Sequence, residues 1–277
     1  MIKLETLTYE VSEGVATLTL NRPDSKNAIN QTMGDELGEI LIKVKRDRDV
    51  CALVVTGAGG AFCAGGDVRG MHATAPRSPA QVSAVVERAR RITTELMGLD
   101  RPVIAAVDGV AYGAGFSLAL QADIVLLSDR ARLCMVFQRI GLVPDFGALY
   151  TLPRLVGLQR AKELLYSARE IAPEEAVEMG IAMEVMPASE LLTRAREMAR
   201  SLCGASDVAL SATKQALNAS LGSDLRTVLE MEASGQTIAA QSEYVREAAR
   251  RFLAKEPPQF RWADRTVPNQ SNPKNDA

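Results

Sequence analysis

The sequence of 277 residues contains a single histidine, His72, and four widely spaced cysteines that form no C-x-x-C pair. A structural zinc site needs several Cys or His ligands at close spacing, so the sequence predicts no metal site. A Ser-His-Asp triad would have to use His72 as its base, which disfavours a serine hydrolase. Because the cysteines show no disulfide framework, we expect a reducing compartment and therefore a cytoplasmic protein.

The sequence also lacks a large excess of either charge, because it has 32 basic and 34 acidic residues and a net charge of −2. This balance provides no general attraction for nucleic acid or for an anionic membrane, so we expect neither as a partner. The first ten residues include Glu5 and Glu10 and no apolar run, which excludes a secretory signal there. Residues 102–122 carry only the charge of Asp108, but their glycines favour a buried strand, a turn and a helix over a membrane span.

The residues that are abundant predict an α/β fold. With 47% hydrophobic residues, the chain can bury a large core in one large domain or two small ones. Alternating β-branched and apolar residues predict strands, and apolar residues at helical spacing predict helices. The predicted strands cover residues 8–11, 15–20, 52–56, 103–107 and 124–127. The predicted helices cover residues 31–46, 114–121, 158–167, 173–179 and 188–202, and a further helix begins at Ser78-Pro79. Such alternation predicts parallel strands covered by helices, with an almost wholly helical pattern after Gly157.

Two glycine-rich segments each follow a predicted buried strand and lead into a helix. The first glycine loop is residues 61–67 (AFCAGGD), and the second glycine loop is residues 109–115 (GVAYGAG). Turns of this kind expose backbone N–H groups at the positive end of a helix, and two such loops can form an oxyanion hole. Alternatively, the glycines only permit tight turns. Neither loop has the lysine of a phosphate-binding P-loop, and Leu118 replaces the third glycine of a dinucleotide fingerprint.

Several motifs in order give the sequence a family resemblance. They are Asn21-Arg22-Pro23, Asn27-Ala28, the two glycine loops, residues 141–147 (GLVPDFG) and residues 152–157 (LPRLVG). From about Leu4 to Phe260 the chain resembles the crotonase, or enoyl-CoA hydratase/isomerase, superfamily, and its motifs are most similar to the phenylacetate-pathway-type isomerase branch. The resemblance implies an α/β fold built as a crotonase-like spiral of β-β-α units with a C-terminal helical trimerisation region.

The same resemblance implies a domain arrangement, a substrate and an assembly. Residues 1–200 would form the spiral core with the acyl-CoA site, residues 201–260 the oligomerising helices, and residues 261–277 a flexible tail. The substrate would be an acyl-CoA thioester, with CoA as part of the substrate and no separate cofactor. The expected assembly is a homotrimer or a dimer of trimers.

Individual site residues follow from the motif positions. The backbone N–H groups of Ala64 and Ala114 would hold the thioester oxygen as an enolate forms. Asp67 has a plainer role as the N-cap of the short helix after it. The expected substrate-binding positions, implied by the resemblance, are Asn27, Ala28, Cys63, Gly65, Asp67, Gly113, Ser117, Phe137 and Lys255.

The acid/base residues decide the reaction. Hydratases of this superfamily use two glutamates, and the corresponding positions here hold Ser117 and Phe137. Asp145 remains, at a position where some isomerases place their acid/base, and one carboxylate suffices for a 1,3-proton shift. Phe137, Phe146 and Tyr150 are expected to exclude water and raise its pKa. We therefore expect an acyl-CoA isomerase.

Other interpretations stay open at this point. Asp145 could instead cap the turn or the helix that follows it. One alternative function is an enoyl-CoA hydratase with a reduced acid/base set. Another is an acyl-CoA binding protein without catalytic activity.

Overall fold

The computed structural model describes residues 4–69 and 78–263, so His72 and most of the predicted tail lie outside the described residues. The described chain is α/β, with a six-stranded sheet and a three-stranded sheet. In chain order the strands are β1 (Leu7–Ser12), β2 (Val15–Leu20), β3 (Ala52–Gly57), β4 (Val103–Val107), β5 (Val110–Tyr112), β6 (Ile124–Ser128), β7 (Arg132–Cys134), β8 (Glu170–Ile171) and β9 (Glu184–Met186).

The large sheet has the order β1-β2-β3-β4-β6-β9. Its first pair, β1 and β2, is an antiparallel hairpin, and each later pair is parallel. The small sheet pairs β5 with β7 in parallel and β7 with β8 antiparallel. The parallel strands bring their carboxyl ends to one edge, where both glycine loops begin.

Ten α-helices lie within the described residues. They are α1 (Gln31–Arg46), α2 (Pro79–Met97), α3 (Ala114–Ala119), α4 (Ala148–Val156), α5 (Leu158–Ser167), α6 (Pro173–Glu178), α7 (Ala188–Leu202), α8 (Asp207–Ser220), α9 (Leu225–Ala239) and α10 (Glu243–Leu253). The helix start predicted at Ser78-Pro79 is confirmed by a capping box, in which the Ser78 and Gln81 side chains each accept a bond from the other's backbone N–H.

Alternate residues of the buried strands pack into two cores. On one face of the sheet, Ala52 and Val54 of β3 pack with the apolar stripe of α7. On the other face, Leu53 and Val55 belong to the larger core with α1 and α2. Burial on both faces explains why these strands read as continuous apolar runs in the sequence.

The almost wholly helical pattern predicted after Gly157 is observed, with β8 and β9 as two short exceptions that were not predicted. Strands of two and three residues carry too few alternating positions to be distinguished by sequence. β9 nevertheless forms the edge of the large sheet, where Glu184 pairs with Leu126 of β6. The strands β5 and β7 were not predicted either, for the same reason.

The last three helices bury little within one chain. No residue of α8 or α10 is buried, and Ala239 is the buried residue of α9. Large apolar side chains on these helices are exposed instead, namely Leu217, Leu225, Leu229, Ile238, Phe252 and Leu253.

Candidate active site

The two glycine loops are joined directly by backbone hydrogen bonds. The N–H of Cys63 donates to the carbonyl oxygen of Val110 at 2.9 Å, and the N–H of Tyr112 donates to the Cys63 carbonyl at 2.9 Å. These bonds form a parallel bridge between Cys63 and Ala111. The residues that follow Cys63 and Tyr112 are therefore held side by side.

Gly65 marks the closest approach of the loops. Its φ is +95°, and an added Cβ atom would lie 2.7 Å from the Tyr112 carbonyl oxygen and 3.6 Å from the Ala114 nitrogen. A side chain at this position would be strained by its backbone conformation and would also push the loops apart. Gly65 thus permits the first loop to reach the start of α3.

The prediction that Ala64 supplies an oxyanion-hole donor is wrong, because its N–H already donates to the carbonyl oxygen of Lys26 at 2.8 Å. The next residues of the first glycine loop pair with Ile29. The Ile29 N–H donates to the Gly65 carbonyl oxygen at 2.7 Å, and the Ile29 carbonyl oxygen accepts from the Asp67 N–H at 2.9 Å. Gly66 lies between these bonds, and its own N–H has no acceptor among the described residues. Gly66 is an exposed residue.

The second donor predicted from the sequence, Ala114, occupies the first position of α3. Its N–H has no acceptor in residues 4–69 and 78–263, as is usual for the first turn of a helix. Gly113 before it has φ +51° and donates its own N–H to Cys134 O at 2.8 Å. The chain therefore turns at Gly113 and leaves the Ala114 N–H free beside the first loop.

Asn27 and Ala28 belong to a hydrogen-bonded segment that contacts the start of the first glycine loop. The fully buried Asn27 amide donates to Ala58 O at 2.9 Å and to Ala61 O at 2.7 Å, and its Oδ1 accepts from Arg22 N at 2.8 Å. Arg22 also donates to the Ala28 carbonyl. The Asn27 side chain is fully engaged within the protein, so a ligand can meet this segment only through its backbone.

Three further predicted positions lie close to the loops. Cys63 is fully buried, so dissolved reagents cannot reach its sulfur, and burial raises the pKa of its thiol to about 12. The buried Ser117 hydroxyl donates to Gly113 O at 3.0 Å. Phe137 is buried, and its ring lies 3.8 Å from where a Cβ on Gly113 would be.

Lys255 is distant in the sequence from these residues, and no hydrogen bond joins it to them within the described residues. It follows α10, is exposed, and has φ +56°. Within the described residues its ammonium has no hydrogen-bond or ion-pair partner. The single chain does not tie this side chain to the glycine loops.

Three carboxylates near the loops are paired with arginines. Asp67 bonds Arg22 and Arg69, and these bonds hold its pKa well below the usual range. It also accepts from the Arg69 backbone N–H at 3.2 Å. The short helix that Asp67 was predicted to cap would run into residues 70–77, which lie outside the described residues.

The other two paired carboxylates flank the second loop. Arg130 bonds Asp108 with two nitrogens and lowers its pKa. Glu170 accepts from the Tyr112 hydroxyl and from Arg132, and these bonds lower its pKa. All three groups are held ionised by partners, and such groups are poor proton carriers near neutral pH.

Asp145 differs from all three. Its Oδ1 atom is buried and has no hydrogen-bond partner among the described residues. Burial raises its pKa from 3.8 to about 6. Because Oδ1 is unbonded, the carboxylate does not use this atom to cap the turn or α4.

Of the three aromatic residues expected to exclude water, Phe137 and Phe146 are buried. Tyr150 is 42% exposed, and its hydroxyl donates to the Asn218 carbonyl oxygen in α8.

The backbone around Asp145 is fixed by a residue that sequence reasoning missed. Gln121, just after α3, donates its amide to Phe146 O at 2.7 Å and to Thr93 Oγ1 at 3.3 Å. Phe146 has φ +50°, an uncommon conformation for a bulky residue. A polar residue at the end of the apolar run 118–122 was the available signal.

A cavity of about 610 Å³ opens elsewhere, between α4, α8 and the start of β6. Gln121, Tyr150 and Lys214 contribute to its walls, and none of the predicted site residues does. This cavity is therefore separate from the candidate site at the two glycine loops. Residues 4–69 and 78–263 contain no group of three or more His, Cys, Asp or Glu that could hold a metal ion. No helix in the described part of the chain is long and apolar enough to cross a membrane.

Comparisons with known proteins show the family to which the chain belongs. A crystal structure of an enoyl-CoA hydratase/isomerase from Cupriavidus metallidurans is 43% identical, with a TM-score of 0.90, covering 96% of this chain and all of that one. The 1,2-epoxyphenylacetyl-CoA isomerase of Escherichia coli is 39% identical over 93% of this chain and 98% of its own length. The short-chain-enoyl-CoA hydratase of Clostridium acetobutylicum is 32% identical over 92% of this chain and 97% of its own. The family model for enoyl-CoA hydratase/isomerase matches residues 10–263, and the chain belongs to this family, within the crotonase superfamily.

Proposed function

We propose that this protein is an acyl-CoA isomerase that moves a double bond in an enoyl-CoA thioester by a 1,3-proton shift. Asp145 carries the proton, and the backbone N–H groups of Gly66 and Ala114 hold the oxygen of the enolate. The observation that carries the proposal is the buried Oδ1 of Asp145, which has no partner and a pKa raised to about 6. A base of this pKa is deprotonated at neutral pH and becomes a usable acid after it takes a proton.

The oxyanion hole rests on the two free donors. Gly66 and Ala114 present unpaired N–H groups on neighbouring loops that Gly65 brings into contact. A fixed donor aimed at developing negative charge is typically worth ~3 kcal/mol of barrier. Two such donors favour any reaction in which the thioester oxygen becomes an enolate oxygen.

The proton shift then needs one residue. For a 3-enoyl-CoA, the Asp145 carboxylate removes a proton from carbon 2, and the electrons of that bond delocalise over the dienolate to the thioester oxygen. The Asp145 carboxylic acid returns the proton to carbon 4, and the double bond comes to lie between carbons 2 and 3. The product is an isomer of the substrate, and Asp145 ends as the carboxylate with which it began.

Hydration is less well served by the same residues. It requires one group to activate water and a second to protonate the neighbouring carbon. The Ser117 hydroxyl is committed to Gly113 O, and Phe137 offers no polar atom. The names of the relatives include both an isomerase and a hydratase, so product analysis is the decisive experiment.

The experiment is incubation with 3-hexenoyl-CoA and, separately, with crotonyl-CoA in D₂O, followed by chromatographic separation of the isomers and mass spectrometry. We expect a 2-enoyl product from the first substrate, and loss of this product in Asp145→Asn. The exposed Asp129→Asn variant is the matched control and should retain activity. Hydration of crotonyl-CoA at a comparable rate would restore the hydratase. Tight binding of both esters without turnover would indicate a binding protein.

The proposal extends to the assembly that the family resemblance implies, a spiral of β-β-α units joined as a homotrimer or dimer of trimers. The exposed Leu225 and Leu229 of α9 support it, because leucines at helical spacing on an uncovered face suit a subunit interface. Sedimentation equilibrium of the full chain tests it. A monomer at micromolar concentration would contradict the proposal.

A further inference from the structure

Two cysteines that are distant in the sequence lie together near the amino end of β3. The candidate site lies beyond the carboxyl end of the same strand. Cys51 precedes β3, and Cys203 follows α7. A Cβ atom placed on Gly14, in the turn between β1 and β2, would lie 3.2 Å from the Cys51 sulfur and 3.5 Å from the Cys203 sulfur. Both sulfur atoms therefore border the same small space, and both residues are free thiols.

The surroundings fix the two residues in place. The Cys51 N–H donates to Gly14 O at 2.7 Å, and the Cys203 N–H donates to Ala199 O at 3.2 Å. Cys203 also packs against the core between the sheet and α7. The backbone of each cysteine is therefore held in place by a hydrogen bond.

The chemistry of the two thiols differs. Cys51 is exposed, so a dissolved oxidant can reach its sulfur. Burial, the negative charge that a Cys51 thiolate would carry and the hydrogen bond with Cys51 together raise the pKa of the Cys203 thiol to about 12. The two sulfur atoms lie close to the same point beside Gly14, whereas Cys63 and Cys134 are buried elsewhere.

We propose that Cys51 and Cys203 form an oxidative modification site, at which a peroxide converts the two thiols into an intramolecular disulfide. Peroxide first transfers an oxygen atom to the Cys51 sulfur, which gives a sulfenic acid and one water. The Cys203 sulfur then attacks the Cys51 sulfur, the S–S bond forms, and the S–O bond breaks. The oxygen leaves as a second water, which takes up the Cys203 proton.

The disulfide would connect the start of β3 to the end of α7, just before the C-terminal helices begin. Closing so long a loop restricts the unfolded chain strongly, so the oxidised protein should unfold at a higher temperature. β3 has six residues, and a rise of roughly 3.3 Å per residue separates the pair from the first glycine loop by about 20 Å. The modification is therefore independent of the proposed isomerase activity.

The test treats the full chain with hydrogen peroxide, blocks the remaining thiols with N-ethylmaleimide, and measures the intact mass and the tryptic peptides. We expect the loss of two hydrogen atoms and a peptide that joins residues 49–69 to residues 201–214. Residues 49–69 contain both Cys51 and Cys63, so Cys51→Ser identifies the sulfur. This variant and Cys203→Ser should each abolish the linked peptide, and Cys134→Ser should retain it.

Unfolding provides the second measurement. We expect the midpoint of thermal unfolding to rise by roughly 5–10 °C on oxidation and to return after dithiothreitol. Because Cys51 is exposed, Cys51→Ser should fold normally and show no such rise. A linked peptide that persists in Cys51→Ser, a cross-link between two chains, or a Cys51 sulfonic acid without a cross-link would each overturn the proposal.

Discussion

Gln121 donates its side-chain amide to the carbonyl oxygen of Phe146 at 2.7 Å, one residue after Asp145. Because Phe146 holds a positive φ, this bond fixes the turn that orients the Asp145 carboxylate. The same amide reaches Thr93 of α2, whose methyl group lies 3.1 Å from a Cβ placed on Gly147. The turn is thus held from the end of α3 and from α2.

Replacing Gln121 by leucine should misplace Asp145 without removing it. Loss of the amide leaves the Phe146 carbonyl unpaired, and we expect the free energy of unfolding to fall by about 1–3 kcal/mol. We expect kcat for isomerisation to fall by roughly 10-fold or more, with little change in KM, because misorientation of a proton-transfer group acts on the chemical step. Gln236→Leu, on the exposed surface of α9, is the matched control. An unchanged kcat in Gln121→Leu would exclude a positioning role.

The rate of isomerisation should follow the ionisation of Asp145. Since the carboxylate must accept a proton and its pKa is about 6, kcat/KM should fall about tenfold per pH unit below that value. The pH profile of the wild-type enzyme measures this directly. A profile that is flat down to pH 4.5 would show that an unperturbed carboxylate, and therefore another residue, is the base.

Asp145 should also make the protein less stable at neutral pH than in mild acid. Its folded pKa of about 6 exceeds the ordinary 3.8, so the folded state binds more protons between these values. Stability contributed by the protonated form is present below pH 3.8 and is lost as the pH rises through about 6.

Asp145→Asn removes this cost of a buried charge. At pH 8 the variant should be more stable than wild type by roughly 1–3 kcal/mol, as judged from urea unfolding. The difference should shrink below pH 5. Equal stabilities at pH 8 would mean that the Asp145 carboxylate is well solvated.

Gly65→Ala should separate the two glycine loops. The new methyl group would lie 2.7 Å from the Tyr112 carbonyl oxygen at a φ of +95°, which costs at least about 1–3 kcal/mol of stability. Isomerisation should fall at least about 100-fold, because the donors at Gly66 and Ala114 would no longer meet one oxygen atom. Gly222→Ala is the control, since its methyl group would meet only Ala219 O at 3.7 Å. Thermal unfolding and product formation measure the two effects.

By itself, the sequence determined the α/β class, several element bounds and the candidate proton carrier. β2, β4, α1, α5 and α7 begin and end where the apolar patterns predicted. These elements bury long periodic faces, and their spacing is a local property of the chain. Asp145 was identified through the motif around it, and its unpaired oxygen now supports that choice.

Only the tertiary structure decided which groups remain free to act. Ala64 and Gly66 are two residues apart, and the hydrogen bond from Ala64 to Lys26 leaves Gly66 as the free donor. Likewise, Gln121 reaches Phe146, and Cys51 meets Cys203, across long stretches of sequence. Hydrogen-bond occupancy and burial depend on which distant segments pack together, so no local pattern encodes them.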